Sequence, residues 1–280
     1  EVHAFLPVTL ALFTQTINFR NHRKLTVVDG NIAYVGGINI GDEYTGADKK
    51  LGYWRDTAVR LRGGAVRELQ RAFLADWEWV TGDALDAPRY FPDTRAEGGV
   101  RALVVPDGPD GERRNIFEMM FAAVVSAKRR VYATTPYFIP DGGLLAALLG
   151  AARAGLDVRI IIPGKADTKL TQWATLSYVE ELLRAGVRVY RYRKGFLHAK
   201  TLIVDDLFAA TGSANMDLRS LYSNFELQAA FFDGKIVARF VEDFRRDLAD
   251  SEELRLAAVA VRGRRERFCE GVGRLLAPLL

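Results

Sequence analysis

Two histidines occupy the same position in a long internal repeat. The segment from His22 to Asn39 aligns without a gap with the segment from His198 to Asn215, at a constant offset of 176 residues (22 to 198). Each copy reads His-x-Lys-x4-Asp-x6-Gly-Gly/Ser-x-Asn. The chain has only three histidines, and two of them coincide in this alignment, so chance is a poor explanation of the match.

The two His-x-Lys pairs suit a phosphoryl-transfer site. Side chains alternate faces along a strand, so we expect His22 and Lys24 to point the same way, and likewise His198 and Lys200. One neutral histidine can attack phosphorus to form a phosphohistidine, while the other, protonated, gives its proton to the leaving alkoxide. The lysines would neutralise the phosphate oxygens, so this chemistry needs no metal or other cofactor.

Two carboxylates recur at a similar distance after the histidines. Asp56 follows His22 by 34 residues, and Glu226 follows His198 by 28. An imidazole that forms a covalent bond needs its other nitrogen held by an acceptor. We therefore predict a crossed arrangement, in which Glu226 orients His22 and Asp56 orients His198. The unequal neighbours of the two histidines favour His22 as the nucleophile and His198 as the acid.

The remaining motif positions divide into structural and phosphate-binding candidates. Asp29 and Asp205 complete the catalytic motif, but their odd offset from the histidines predicts side chains on the opposite strand face. We interpret them as residues that bind turn backbone rather than as partners of the imidazoles. We place Asn39, Asn215 and Ser213 at the phosphate of the substrate, where the asparagine amides would assist the lysines.

The elements around both motifs are predicted to repeat as well. Each motif should lie on a strand, Lys24–Asp29 or Lys200–Asp205, that turns back into a second strand of a hairpin. Further along, each copy continues with a strand and then a helix, the helices being Ala65–Val80 and Lys235–Leu248. The repeat is therefore expected to be structural as well as chemical.

Strands and helices alternate over residues 100–190, which favours an α/β sandwich with a largely parallel central sheet. The composition divides the chain into a first lobe (1–81), a surface linker rich in Asp, Pro, Gly and Arg (82–99), a second lobe (100–250) and a basic amphipathic segment (251–280). Residues 100–197 precede His198 in its lobe, but only 21 residues precede His22. We therefore expect an N-terminally truncated first lobe, with part of one sheet exposed.

Bulk composition is typical of a soluble globular chain with a large core. The 280 residues are 49% hydrophobic and 26% charged, and the charges nearly balance at a net +4, which favours anionic partners without identifying one. The single cysteine, Cys269, excludes an intramolecular disulfide framework. No run of 18 or more apolar residues occurs, so the chain contains no predicted membrane span.

The twin motif resembles the signature of the phospholipase D superfamily. Flanking segments resemble the bacterial cardiolipin synthases, namely Asn18–Lys24, Gly36–Tyr44, Trp54–Asp56, Thr135–Pro140, Gly195–Lys200 and Gly212–Ser220. The resemblance implies a pseudo-twofold, two-lobed α/β/α sandwich and a phosphohistidine intermediate. It also implies crossed carboxylates, in whose positions Glu226 and Asp56 stand.

This resemblance implies a phosphatidyltransferase that makes cardiolipin from phosphatidylglycerol, or from a related phosphatidyl donor and lipid acceptor. A phospholipase or nuclease on the same scaffold would use water as the acceptor, and the motif does not distinguish these reactions. A nuclease needs a basic groove, and only Arg184–Lys194 hints at one, although its alternation equally fits an edge strand. A non-catalytic lipid or nucleic-acid binding module is disfavoured because both His-Lys pairs are intact.

The resemblance also implies a phospholipid substrate and a location at the bacterial cell membrane, reached through segments outside this chain. An anionic membrane surface is the expected partner and nucleic acid is not, while protein partners are left open. The C-terminal segment alternates apolar and basic blocks, Leu254–Val261, Arg262–Arg267 and Leu275–Leu280. These blocks fit a membrane-surface helix or a packed terminal helix with a solvated arginine face, and we favour the packed helix.

Overall fold

The computed structural model describes residues 1–5, 19–48, 52–93 and 98–279. The first-lobe elements in these ranges are β1 (Arg20–Asn21), β2 (Leu25–Val28), β3 (Ile32–Gly36), a 3-10 turn (Asp42–Thr45), β4 (Tyr53–Arg55), β5 (Ala58–Arg62) and α1 (Gly64–Thr81). The predicted helix Ala65–Val80 matches α1 within one residue at each end. A further 3-10 turn, Pro88–Tyr90, lies in the predicted linker, of which residues 94–97 fall outside the described ranges. The division into lobes and linker stays a prediction.

The second lobe supplies most of the strands and helices. Its elements are β6 (Ala102–Asp107), α2 (Asn115–Val125), β7 (Arg130–Thr134), β8 (Phe138–Ile139), α3 (Gly142–Arg153), β9 (Asp157–Pro163), α4 (Lys169–Arg184), β10 (Arg188–Tyr192), β11 (Gly195–Leu197), β12 (Thr201–Val204), β13 (Phe208–Gly212), β14 (Met216–Asp217), α5 (Leu218–Tyr222), β15 (Asn224–Phe231) and α6 (Gly234–Ala249). The C-terminal segment forms β16 (Ser251–Glu253), α7 (Leu256–Ala260), α8 (Arg264–Leu276) and a 3-10 turn (Ala277–Leu279).

The two motif hairpins, β2–β3 and β12–β13, have the same turn. Each closes through three residues, and the first of the three is the motif aspartate, Asp29 or Asp205. Both aspartates adopt a left-handed backbone conformation, with φ of 51° and 50°. Aspartate tolerates this region better than most residues because its short side chain can bond locally. The predicted structural repeat is therefore present in the hairpins.

The main sheet is mixed rather than largely parallel. Among the described residues it has nine strands in the order β1-β15-β13-β12-β7-β9-β10-β16, and β6 also pairs with β15. Only the β1–β15, β7–β9 and β9–β10 pairs are parallel. The prediction of a largely parallel sheet was wrong because, among the described strands, only β7, β9 and β10 are sheet neighbours joined by helical crossovers. The motif hairpin and its return strand add antiparallel pairs on the other side.

Strand β10 carries the arginine-rich stretch, and it is not an edge strand. It pairs with β9 on one side and with β16 on the other. Strand β16 also brings carboxylates to its arginines, with Arg188 Nε 2.8 Å from Glu253 Oε1 and Arg193 Nε 2.8 Å from Glu252 Oε2. The edge-strand interpretation of this stretch was therefore wrong, and four of its positive charges, those of Arg184, Arg188, Arg193 and Lys194, are already paired within the chain.

Helices cover both faces of the main sheet, so the predicted α/β/α sandwich is present. Helices α2, α3 and α4 bury Ile116, Leu148 and Val179 against one face. The other face carries α6, α1 and the small sheet β2-β3-β5. Within the described residues, β2 and β5 each pair only with β3 and are the two edge strands of this small sheet. Residues of both lobes share this second core, so the small sheet is packed on one face and solvated on the other. None of the described helices has the length and apolar character needed to cross a membrane.

Candidate active site

Parallel strand pairing brings each histidine beside the carboxylate of the opposite lobe. In the β1–β15 pair, Arg20 lies opposite Asn224, and the same register continued by two residues sets His22 opposite Glu226. In the β11–β4 pair, Gly195 lies opposite Tyr53. That register, continued by three residues, sets His198 opposite Asp56. Paired residues of neighbouring strands point to the same face, so each imidazole and its carboxylate meet side by side.

The contacts follow the crossed pattern expected from the sequence. His22 Nδ1 lies 2.9 Å from Glu226 Oε1, and His198 Nδ1 lies 2.7 Å from Asp56 Oδ2. An ionised carboxylate only accepts hydrogen bonds, so it favours the tautomer in which Nδ1 carries the proton. Both imidazoles then present an unprotonated Nε2 in their neutral form. The side chain of His22 is 28% exposed, whereas that of His198 is 9% exposed.

The backbone carries these histidines differently from the prediction. Both His-x-Lys tripeptides lie in the connections between short strands, β1 to β2 and β11 to β12, rather than on the hairpin strands themselves. The backbone N–H of His22 donates to Phe225 O (2.9 Å), and the N–H groups of His198 and Ala199 both donate to Arg55 O (2.8 and 3.1 Å). The tripeptides are therefore attached to the strands that carry the opposite carboxylates.

A dense set of hydrogen bonds holds Glu226, which is fully buried. The Ser213 hydroxyl donates to Oε2 at 2.5 Å, and the Asn224 amide donates to Oε1 at 3.2 Å. Burial alone raises the pKa of such a carboxyl, but His22, Ser213 and Lys24 together hold the pKa of Glu226 below its usual value. Glu226 is therefore an anion in the folded protein.

The role of Ser213 differs from the prediction of a phosphate ligand. Its hydroxyl is fully buried, donates to Glu226 and accepts from the backbone N–H of Leu227 at 2.9 Å. A hydroxyl has one proton to donate, and Glu226 takes it. Ser213 therefore supports the carboxylate that orients His22 and does not face a substrate.

Asp56 is held by a backbone N–H and an indole rather than by a hydroxyl and an amide. It accepts from the backbone N–H of Thr57 at 2.7 Å, and Trp54 Nε1 approaches its other oxygen at 3.5 Å. Gly37, which occupies the position of Ser213 in the first motif, has no side chain to offer. The two halves of the site are therefore equivalent in pattern but unequal in their support.

Both motif lysines fold back onto their own histidines. Lys24 Nζ donates to the carbonyl of His22 at 2.7 Å, and Lys200 Nζ donates to that of His198 at 2.5 Å. Burial lowers the pKa of Lys24 to about 8, against the opposing charges of Glu226 and Asp56. Burial lowers the pKa of Lys200 further, to about 7, with the charge of Lys24 acting in the same direction. The charges of both lysines and both carboxylates act on one another, so the two motifs form one electrostatic unit.

The motif asparagines end up in different surroundings. Asn39 is partly exposed and donates to the Tyr44 hydroxyl at 3.0 Å. Asn215 is buried and donates to Asp217 Oδ2 at 2.9 Å, which leaves its second N–H available. Asp217 also accepts from Ser220 N at 2.6 Å and begins α5 in this way. Asp217 therefore ties down the loop after the second motif.

The motif aspartates lie at the hairpin turns. The Asp205 carboxylate accepts from the backbone N–H groups of Lys128, Arg129 and Arg130 at 2.9, 2.8 and 3.0 Å. Burial would raise its pKa, but these three donors hold the pKa of Asp205 below its usual value. Asp205 therefore binds backbone, in agreement with the structural interpretation. Asp29 lines a cavity of about 420 Å³ together with Gln70, Trp77 and Tyr90.

An aromatic wall beside His198 was not anticipated. The ring centroids of Trp54 and Phe196 lie 5.1 and 6.0 Å from that of His198, and Tyr44 packs edge-on against Trp54 at 4.6 Å. Trp54 stands two residues before Asp56, and Phe196 stands two residues before His198. The sequence therefore carried a signal for this wall, because residues two apart on a strand point to the same face.

Within the ranges that the structure describes, no three acidic, histidine or cysteine side chains are grouped so that they could hold a metal ion.

Gly37 makes a testable contribution to this geometry. A Cβ at Gly37 would lie 2.3 Å from Asp56 Oδ1, far inside contact distance. Gly37→Ala should therefore displace Asp56 and disorient His198, which lowers kcat by about 100-fold. Gly64→Ala is the matched control, because a Cβ there meets nothing within 4 Å. Wild-type kcat for Gly37→Ala, measured beside the thermal unfolding of both variants, would contradict this account.

Comparisons with known proteins identify relatives of this chain. A family model described as "Cardiolipin synthase, PLD-like domain" matches residues 120–248. Cardiolipin synthase 2 of Bacillus anthracis is 46% identical, with 100% of this chain and 55% of that protein aligned. Cardiolipin synthase of Staphylococcus aureus is also 46% identical, with 100% of this chain and 57% of that protein aligned. The chain thus spans about half the length of the curated relatives it matches.

A solved structure shares the fold. The crystal structure of phosphatidylserine synthase from Haemophilus influenzae superposes with a TM-score of 0.71 at 14% sequence identity, covering 94% of this chain and 71% of that one. At this identity the likeness concerns the fold alone. The family-model match and the sequence relatives show that the chain belongs to the phospholipase D superfamily and is a relative of the bacterial cardiolipin synthases.

Proposed function

We propose that this chain is the catalytic region of a phosphatidyltransferase that makes cardiolipin from phosphatidylglycerol through a phosphohistidine intermediate. The observation that carries the proposal is the pair of histidines, each bonded through Nδ1 to a buried carboxylate of the opposite motif. Sequence relatives named cardiolipin synthase support the substrate class. A lipid substrate also supports a location at the bacterial cell membrane, with anionic lipid as the partner.

The unequal burial of the two histidines supports unequal roles for them, in the reverse of the order that the sequence favoured. Burial, and after it the charge of Lys200, lowers the pKa of His198 to about 4, so this imidazole is neutral near pH 7. A neutral imidazole with its proton on Nδ1 offers Nε2 as a nucleophile. We therefore propose His198 as the nucleophile. His22 is more exposed, so leaving and incoming hydroxyl groups can reach it as an acid and base.

In the first step, His198 Nε2 attacks phosphorus and the bond from phosphorus to the leaving glycerol oxygen breaks. That oxygen takes its proton from protonated His22, and the phosphatidyl group remains bonded to His198. In the second step, the hydroxyl of another phosphatidylglycerol gives its proton to neutral His22 and attacks phosphorus. The electron pair of the phosphorus–nitrogen bond returns to His198, and cardiolipin leaves.

Four groups are proposed to stabilise the charge that develops on the phosphate oxygens. Lys24 and Lys200 supply positive charge, and the amides of Asn39 and Asn215 supply further N–H donors. Orientation comes from Glu226 and Asp56, which hold the imidazoles and stabilise their cationic forms. Asp29 and Asp205 have no part in the chemical steps.

Hydrolysis is the alternative reaction, with water in place of the second lipid. A nuclease is less well supported, because Arg188 and Arg193 of the basic stretch already pair with Glu253 and Glu252. Incubating the full-length protein with phosphatidylglycerol and resolving the lipid products by mass tests all three reactions. Cardiolipin with glycerol supports transfer, phosphatidic acid supports hydrolysis, and unchanged lipid contradicts both.

Lys200 should give the reaction a characteristic pH dependence. With a pKa of about 7 in the free site, Lys200 is protonated below this pH and loses its charge above it. A phosphate anion binds the charged form, so kcat/KM for phosphatidylglycerol should fall by up to about tenfold per pH unit above pH 7. The value of kcat should change less, because bound phosphate keeps the lysine protonated.

Sulfate provides a control for this prediction, since it does not titrate between pH 6 and 9. Its inhibition constant as a competitive inhibitor should rise with pH in parallel with KM. A constant kcat/KM between pH 7 and 8.5 would contradict the role of Lys200 in binding the phosphate.

A further inference from the structure

One face of the C-terminal helix α8 is packed firmly on α4. At Gly273 the helices approach so closely that an added Cβ would lie 2.5 Å from Ala174 N and 2.8 Å from Trp173 C. Beyond this point, Arg274 pairs with Glu181 at 3.2 Å. Arg262, just before the helix, donates to both Glu270 and Glu180. These contacts fix the rotation of α8 about its axis, so its opposite face is held outward. The packed-helix prediction for this segment is therefore confirmed for one face.

The outward face of α8 is apolar at its centre. Phe268 is 72% exposed and Leu275, seven residues later on the same face, is 79% exposed. Gly271 and the half-buried Val272 lie between them on the helix surface. Leu279, in the 3-10 turn that follows, is also exposed. Large apolar side chains that point to solvent in a row are typical of an interaction surface rather than of a solvated helix.

Arginines flank this apolar row. Arg264, Arg265 and Arg267 are exposed, and no carboxylate of the described residues lies within ion-pair distance of them. The nearby acids are otherwise engaged, since Glu266 accepts from Gly263 N at 3.1 Å and Glu270 pairs with Arg262. The outward face of α8 is therefore both apolar and positively charged.

A groove beside α8 adds further positive charge. It has a volume of about 830 Å³, and its lining includes Arg265, Lys169, Arg191 and the apolar side chains of Trp173 and Leu254. Neither Lys169 nor Arg191 has a carboxylate within ion-pair distance in the described ranges, in contrast to Arg188 and Arg193 of the same strand. The lining also contains Glu252, Glu266 and Glu270, but Glu252 and Glu270 already pair with Arg193 and Arg262. The groove thus offers unpaired cations next to apolar surface, which suits the headgroup of an anionic lipid.

The position of this face relates it to the active site. The 3-10 turn Ala277–Leu279 contacts α5, and α5 directly follows the loop that carries Asn215 and Asp217. The C-terminal end of the apolar row, at Leu279, therefore lies beside the segment that follows the second motif.

We propose that Phe268, Leu275 and Leu279, framed by Arg264, Arg265 and Arg267, dock on the surface of an anionic lipid bilayer. The apolar side chains enter the boundary between headgroups and acyl chains, and the arginines bind lipid phosphates. Bilayer binding does not depend on the proposed reaction. One part of the proposal rests on the proposed function, namely that docking presents lipid substrate to the active site.

Vesicle sedimentation tests this docking without any turnover. The chain should bind phosphatidylglycerol vesicles more tightly than phosphatidylcholine vesicles, and the double variant F268S/L275S should bind about tenfold more weakly or worse. The control is L207S, which removes a leucine that is 70% exposed at the β12–β13 turn. It should bind as the wild type does. The triple variant R264Q/R265Q/R267Q should lose the preference for phosphatidylglycerol.

Thermal unfolding and size-exclusion chromatography, read beside vesicle binding, decide the interpretation. Thermal unfolding of F268S/L275S should match the wild type, because both side chains are exposed. Equal vesicle binding by F268S/L275S and the wild type would overturn the proposal. So would a size-exclusion profile in which F268S/L275S turns a dimer into a monomer without changing vesicle binding, since the face would then bind a second copy of the chain. An enzyme that proved to be a hydrolase would leave these binding results unaffected.

Discussion

His22→Ala should stop turnover of phospholipid and yet release one equivalent of p-nitrophenolate from a phosphatidyl p-nitrophenyl ester. The natural leaving group is an alkoxide that needs a proton from His22, whereas p-nitrophenolate leaves without one. The nucleophile, His198, is intact in this variant, so the phosphatidyl group still transfers to it. The second step needs His22 as the base, and the reaction therefore ends at the phosphohistidine.

His198→Ala is the matched variant, and it should release no p-nitrophenolate burst. Both variants should lose phosphatidylglycerol turnover by at least about 10³-fold, because neither retains the complete pair. Mass spectrometry of the stalled His22→Ala protein should locate the added phosphatidyl group on His198. A burst from His198→Ala and none from His22→Ala would restore the opposite assignment. The absence of a burst from both would contradict the two-histidine mechanism.

The sequence was sufficient to predict the candidate site because that site is made of two copies of one motif. The offset of 176 residues identified His22 and His198 together, and the acids Asp56 and Glu226 followed from their spacing. The crossed contacts agree with that expectation. A motif repeated by pseudo-twofold symmetry determines both halves at once, so a local pattern could predict a contact across 204 residues.

Features that depend on strand direction could not be predicted in this way. Alternating helices and strands indicated a parallel sheet, but β12, β13 and β15 join it through hairpin and return connections that leave no helical signal. The role of Ser213 was missed for a related reason. Its motif position suggested the phosphate, while the antiparallel pairing of β13 with β15 turns its hydroxyl toward Glu226.

The aromatic wall was missed because its sequence signal is ambiguous. Trp54 and Phe196 stand on short strands, where large aromatic residues fit an ordinary core equally well. Only the parallel pairing of β4 with β11 brings the two rings together beside His198. Side-chain identity therefore predicted the reacting groups, whereas strand pairing decided which apolar residues enclose them.

The crossed arrangement makes a second strong prediction, for Glu226→Gln and Asp56→Asn. Each change keeps the shape of the side chain but removes the charge that stabilises the cationic imidazole and selects its tautomer. We expect kcat to fall by about 10³- to 10⁴-fold in both variants, as for the equivalent change in a serine-protease triad. KM should change less, since neither carboxylate is proposed to contact the substrate.

The p-nitrophenyl ester separates crossed from uncrossed pairing. Glu226 contacts His22, so Glu226→Gln should behave as His22→Ala does and keep the burst. Asp56 contacts His198, so Asp56→Asn should slow the burst itself. Ser213→Ala is the milder control, because losing one hydrogen bond to Glu226 should cost about tenfold in kcat while the burst persists. If Asp56→Asn kept a fast burst and Glu226→Gln lost it, each acid would be acting on the histidine of its own motif. The crossed contacts would then not be the ones that matter in turnover.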